Sequence, residues 1–138
     1  MSIELNRVVV RRWYDMMWNQ WCFALVDELV SEDLVFQGSL GKTVRGRDGL
    51  RRYMEEVHAA FPDFHNRIDA LVADGDRVAA RLTYTGTHRG PVLGIAPTGR
   101  RIEYVGAAFF RLIGGLVTEG WVLGDTAGLR AQLAAQER

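Results

Sequence analysis

YTGTHRG (Tyr84–Gly90), GIAPTGRRIEY (Gly94–Tyr104) and GWVLGD (Gly120–Asp125) decide how this chain folds. They read as two long strands joined by a Gly/Pro loop, then a hairpin at Gly114-Gly115 whose return strand ends in an aspartate. Glycine supplies the positive φ angles that a tight hairpin needs. Side chains alternate across a strand, so Val117, Glu119, Trp121, Leu123 and Asp125 share one face. The smaller Thr118, Gly120, Val122 and Gly124 share the other. The bulky face is therefore expected to be covered. Two carboxylates on a covered, aromatic-rich face are costly unless paired or used. A simple two-residue loop sets Ala108 opposite Trp121, Gly106 opposite Leu123 and Tyr104 opposite Asp125; a bulge would shift that register.

Upstream, the Asp74-Gly75-Asp76 turn joins strands 64–74 and 77–88, with Val78, Ala80, Leu82, Tyr84 and His88 on one face of the second. A loop over 89–99 leads to the strand Arg101–Leu112. Ahead of these strands, residues 4–19 show the helical recurrence of Val9, Trp13, Met16 and Met17, and a short helix follows near Phe23–Leu29. Asp33–Gly38 is a short strand carrying the polar Gln37, which either faces water at an edge or serves a pocket. Residues 38–46 read as loop. Arg47–Phe61 is the clearest helix: Leu50, Tyr53, Met54, Val57 and Phe61 form its apolar stripe, Asp48 suits its first turn, and Pro62 ends it. A last helix is expected over 127–135. Helices first and a long antiparallel meander after them make an α+β pattern, a curved sheet folded over helices around an apolar interior.

The chain has 138 residues, enough for one domain (1–138) with its own core. Seventeen Lys and Arg balance seventeen Asp and Glu, so nothing electrostatic points to nucleic acid or an anionic membrane. No apolar run approaches the ~18 residues of a membrane span. No signal peptide is evident, and the simplest reading is a cytoplasmic protein. Cys22 is the single cysteine, which excludes an internal disulfide, and its neighbours Trp21 and Phe23 suit a buried small residue. No metal-ligand spacing is present.

MMWNQW, VRGRDGLRRYMEEVHAAFPDF, GDRVAARLTYTGTHRG, GIAPTGRRIEY and FFRLIGGLVTEGWVLGDTAGLRAQL, in this order over nearly the whole chain, resemble the SnoaL-like polyketide cyclase family of the nuclear-transport-factor-2-like superfamily. The resemblance implies a cone-shaped α+β domain, no cofactor, and a homodimer across the open sheet face. It implies a general acid/base at Asp125, within the W-x-x-x-D of Trp121–Asp125, for an intramolecular aldol ring closure. The family places a histidine on the neighbouring strand. Here 101–112 has none, and Arg111 stands near that place. His88, in GTHRG, matches a common family position and is the second catalytic candidate, with loop anchoring as its alternative.

These readings leave two functions open. One is an acid/base enzyme of secondary metabolism acting on a small hydrophobic substrate, a polycyclic ketone or ester, by ring closure, isomerisation or hydrolysis. The other is a non-catalytic ligand-binding module. In either, Trp13, Tyr14, Phe36, Gln37, Tyr53, Val57, Phe61, Tyr104 and Trp121 are the expected pocket lining, because aromatic walls suit a planar ligand. Burial beside Trp121 and Leu123 would disfavour the charged form of Asp125, and Tyr104 or Tyr14 could hydrogen-bond a developing enolate. The alternative role for Asp125 is to cap a helix beginning at Thr126. For Glu119 it is an ion pair with Arg111 or Arg81.

Overall fold

The computed structural model describes residues 2–135. Helix α1 (Ile3–Arg12) starts at Ser2, whose Oγ accepts the Leu5 N–H at 3.0 Å. It runs on as a π-helical turn, Trp13–Trp18. The wider turn gathers Trp13, Tyr14, Met17 and Trp18 onto one buried side, whereas Met16, expected in the stripe, is exposed. Helix α2 (Leu25–Leu29) leads directly into β1 (Val30–Gln37). The stretch read as loop after β1 contains a short strand, β2 (Thr43–Arg45). Helix α3 (Gly46–Ala60) buries Leu50, Tyr53, Met54 and Val57, each contributing on the order of 1.5–3 kcal/mol. Strands β3 (His65–Asp74), β4 (Arg77–Thr87), β5 (Arg101–Ile113) and β6 (Leu116–Gly124) form the meander, and α4 (Thr126–Ala134) follows.

The six strands make one mixed sheet in the order β2-β1-β6-β5-β4-β3. Every neighbour pair is antiparallel except β1 and β6, which run parallel. The helices lie on its inner face, where Phe36, Leu82, Tyr84, Ile102, Tyr104, Phe110 and Val117 meet α1, the π turn and α3 in one core. No helix among the described residues is long and apolar enough to cross a membrane.

Two bulges set which side chains point inward. In β6, Arg111 pairs with Glu119 but Leu112 pairs with Val117, so Thr118 is the extra residue. Its hydroxyl donates to the Arg111 carbonyl at 3.1 Å, which satisfies an acceptor the ladder would otherwise leave free. Trp121 consequently lies opposite Phe109, and Ala108 lies opposite Val122. This overturns the simple two-residue register. The bulky residues of β6 beyond the bulge are on the outer face and are not covered: Trp121 is 45% and Leu123 60% exposed. Glu119 is on that face too, beside Arg111 and Arg77 at 3.8 and 3.7 Å. In β3 the extra residue is Asp69, between Ile68 opposite Leu82 and Ala70 opposite Arg81. Its carboxylate accepts the Thr83 hydroxyl at 2.6 Å and Arg67 Nε at 2.7 Å.

Candidate functional site

Behind the Asp69 bulge, a row of polar side chains crosses the inner face. Asn66 on β3 lies opposite Tyr84 on β4, and Tyr84 lies opposite Tyr104 on β5. Phe64 stacks on Tyr84 with ring centroids 5.7 Å apart, and Tyr84 lies 4.7 Å from Tyr104. Gly106 makes this possible: a Cβ there would sit 2.7 Å from the Tyr84 ring. The Tyr104 hydroxyl shares a 2.8 Å hydrogen bond with Ser39 Oγ, which ends the row. Tyr14 from the π turn and Tyr53 from α3 approach from the helical side. The Tyr53 hydroxyl accepts the Leu40 N–H at 3.4 Å, and a side chain at Gly38 would collide with its ring.

The row and the helices flank a narrow, partly open void of about 20 Å³, room for about one water. Trp13, Tyr14, Phe36, Tyr53 and Val57, all expected as lining, surround it, together with Trp18, Ser39, Phe64, Asn66, Tyr84 and Val122. A ligand therefore has to displace side chains to enter. Tyr53 and Val57 also border a surface depression of about 220 Å³ between Leu40, Lys42 and the Pro91–Leu93 turn, so they stand between the void and that depression.

No carboxylate or imidazole lines the void among the described residues. Its titratable groups are the phenols of Tyr14, Tyr53 and Tyr84; Tyr104, expected as lining, belongs to the row but does not line the void. Burial pushes the Tyr53 hydroxyl up to about 12, with the Leu40 N–H and Ser39 pulling it back. Burial likewise raises Tyr14 and Tyr84, and neighbouring tyrosines add to it. It raises Tyr104 against the opposing pull of Ser39. These hydroxyls are donors near neutral pH, not bases. Tyr104 and Tyr53 have partners; those of Tyr14 and Tyr84 have none among the described residues. Because folding raises all four, the protonated phenols contribute stability that is complete below the unfolded value of ~10 and is lost as pH rises through the folded values. The chain has four tyrosines. An ultraviolet difference titration should show almost no phenolate at pH ~10 in the folded protein and about half of the phenols ionised in the unfolded chain.

The remaining candidates lie elsewhere. Trp121 is on the outer face and does not reach the void. Gln37 is half-buried beside it, its amide donating to the Val122 carbonyl at 3.2 Å. Phe61 is fully buried against Phe64 and His88, both at 5.8 Å, and does not line the void. His88 is fully buried. Its Nδ1 accepts the Thr98 N–H at 3.1 Å, and its backbone bonds to Gly99 and Arg100, which anchors the loop before β5. The burial expected of Asp125 is absent. The residue is exposed, and its Oδ1 accepts the Gly128 N–H at 2.9 Å to cap α4. Beside it an outer-face trough of about 910 Å³ runs past Arg67, Asp69, Arg81, Val105 and Leu123. This is the largest depression described, but it is open to water and cannot desolvate reacting groups as the interior can.

Asp125→Asn is expected to keep the cap, with stability changed by less than about 0.5 kcal/mol, and Asp125→Ala to lose about 1 kcal/mol. Turnover should stay within about twofold of wild type in Asp125→Asn. Thermal melts and turnover assays check both, and a ~10²-fold fall in turnover would return Asp125 to the chemistry.

Tyr84, Asn66, Ser39, Trp18, Phe64 and Val122 were not among the sequence candidates. Tyr84 had a signal: it alternates with Val78, Ala80 and Leu82 on the inward face of β4. Asn66 had none, because without the Asp69 bulge it would face outward.

Comparison with known proteins agrees with this architecture. The sequence profile of the family described as "SnoaL-like polyketide cyclase" matches residues 8–133. A search of curated protein sequences returns no significant match. Among solved structures, a protein of Jannaschia sp. CCS1, provisionally described as a SnoaL-like polyketide cyclase, superposes with a TM-score of 0.90 at 21% identity, covering 99% of this chain and 97% of that one. AclR of Streptomyces galilaeus, provisionally a hydroxylase, is 28% identical with a TM-score of 0.82, covering 99% of this chain and 85% of that one. IdmH of Streptomyces antibioticus, provisionally a polyketide cyclase, is 28% identical with a TM-score of 0.81, covering 94% and 99%. The fold is the nuclear-transport-factor-2-like cone, and with the profile spanning nearly the whole sequence, the chain belongs to the SnoaL-like polyketide cyclase family.

Proposed function

We propose that the protein is a cyclase-type enzyme that acts through its own side chains on a hydrophobic, polycyclic carbonyl compound held inside the cone. The observation that carries this reading is the pair of unpartnered phenols, Tyr14 and Tyr84, facing an aromatic-walled void. Each can donate to an oxygen on which charge develops, and in a dry site such donors are worth far more than in water. In a ring closure, the enol carbon bonds to a second carbonyl carbon. The enol O–H gives up its proton, the new alkoxide takes one, and the balance is closed without an external acid or base. The donor pair would lower the barrier by stabilising that alkoxide.

One observation favours a second reading, a binding module. The void holds no base among the described residues and has a volume of only about 20 Å³. Incubation with a panel of aryl polyketones separates the two. Ring closure without water loss gives a product of unchanged mass and altered retention. Saturable quenching of tryptophan fluorescence without any product supports the binding module.

The exposed outer face supports a homodimer. Val105, Phe109, Ile113, Trp121 and Leu123 form an apolar patch next to the trough at Arg81, with Phe109 and Trp121 5.9 Å apart as a raised aromatic pair. Knob and trough on one face allow a two-fold axis to seat each knob in the partner's trough. Sedimentation should give a dimer that Trp121→Glu converts to a folded monomer. A wild-type monomer at all concentrations would refute it.

A further inference from the structure

Resting on the reading of the cone as a carbonyl site, we propose that Asn66, held in one orientation by Asn19, is the hydrogen-bond acceptor of that site and favours carbonyl compounds that also carry a hydroxyl or enol O–H. Asn66 is 4% exposed, lines the void and stands directly opposite Tyr84. Asn19 ends the π turn above it. The Asn66 backbone N–H lies 2.8 Å from one terminal atom of the Asn19 amide. A backbone N–H only donates, so that atom is Oδ1. The Asn66 side-chain atom 3.1 Å from the same Oδ1 must then be its Nδ2. Asn19 Nδ2 is left to donate to the Asn66 carbonyl at 2.9 Å. The Asn19 amide is thereby oriented by a backbone donor and the Asn66 amide by the Asn19 oxygen, and neither can flip without setting like groups against each other.

The consequence is at the other end of the Asn66 amide. Its Oδ1 has no partner among the described residues and can only accept. Tyr14 and Tyr84 supply donors beside it, while Ser39 and Tyr104 occupy each other. A ligand with carbonyl oxygen alone satisfies the phenols but displaces water from the Asn66 Oδ1 and leaves that acceptor without a partner, which is costly. A β-hydroxyketone or an enol satisfies both. The enol tautomer presents an O–H that the ketone lacks, so the same arrangement selects the nucleophilic form that ring closure needs. Asn19 touches no ligand; it acts as a positioning residue through Asn66.

The test is titration of tryptophan fluorescence, with Trp13 and Trp18 in the wall as reporters, using 1-tetralone and 3-hydroxy-1-tetralone as probes. Wild type should bind the hydroxyketone about tenfold more tightly than the plain ketone. Asn66→Leu should bring that ratio to about one with affinity for 1-tetralone unchanged, because it removes the acceptor, and the Asn19 Oδ1 that loses the Asn66 amide keeps the Asn66 backbone N–H. Asn19→Ala should also abolish the preference while 1-tetralone still binds; a merely structural loss would weaken both probes alike and leave their ratio unchanged. Tyr84→Phe should weaken both probes equally. A preference that survives Asn66→Leu, or a wild-type ratio of one with both probes bound, overturns this proposal and leaves the carbonyl reading standing. Failure of wild type to bind either probe overturns both.

Discussion

Tyr84→Phe is expected to lower turnover by about 10²–10³-fold, the usual cost of one oxyanion donor. The substitution removes a single oxygen that has no protein partner among the described residues, so it breaks no internal hydrogen bond. The ring keeps its stack on Phe64 and its contact with Tyr104. Folding stability should therefore be nearly unchanged, since no protein hydrogen bond is lost. Tyr14→Phe should behave alike, and the double variant should fall short of the product of the two if both donors serve one oxygen. The measurement is kcat and KM on a substrate found by the ketone panel. A change in KM alone would mean the hydroxyl holds the ground state as firmly as the transition state. Unchanged kinetics in both variants would remove the phenol pair from the chemistry.

Trp13→Ala is expected to cost about 3–5 kcal/mol of stability, enough to leave much of the protein unfolded near its working temperature. Trp13 is fully buried and sits edge-on between Phe36 and Phe110, with centroids at 5.2 and 5.4 Å. It thus ties the π turn to β1 and β5. The surrounding aromatics are rigid and belong to three elements, so the cavity cannot close easily. Urea unfolding gives the number directly. A loss under about 1 kcal/mol would mean that the π turn relaxes to fill the space. Trp121→Ala is the contrast. A buried tryptophan at that position would cost as much, but it is 45% exposed, and the monomer should lose about 1 kcal/mol or less.

That contrast marks the boundary between what local pattern conveys and what the assembled sheet decides. The helix over α3, the Asp74-Gly75-Asp76 and Gly114-Gly115 turns, the long strands between them and the α+β order were legible in the sequence. Each follows from a period of 3.6 or 2, or from a turn residue, and these are properties of neighbouring positions. Tyr53 and Val57 were legible for the same reason, since they lie on the α3 stripe that must face the sheet; Tyr14 was legible from the aromatic density of the first helix and Phe36 from one face of a short strand. Asn66 and Trp121 were not. A strand's period fixes two faces but does not say which is inward, and one inserted residue exchanges them. Thr118 and Asp69 are such residues. Their side chains bond the Arg111 carbonyl and the Thr83 hydroxyl, partners that exist only once β5 and β4 are in place. The first bulge turns Trp121, Leu123 and Glu119 to the outer face, and with them the covered acidic site expected near Asp125 is lost. The second turns Asn66 inward to meet Tyr84. The sequence by itself determined the family and most of the elements, β2 and the π turn excepted; only the tertiary structure decided which side chains meet inside the cone, because register is a relation between strands and no single strand encodes it.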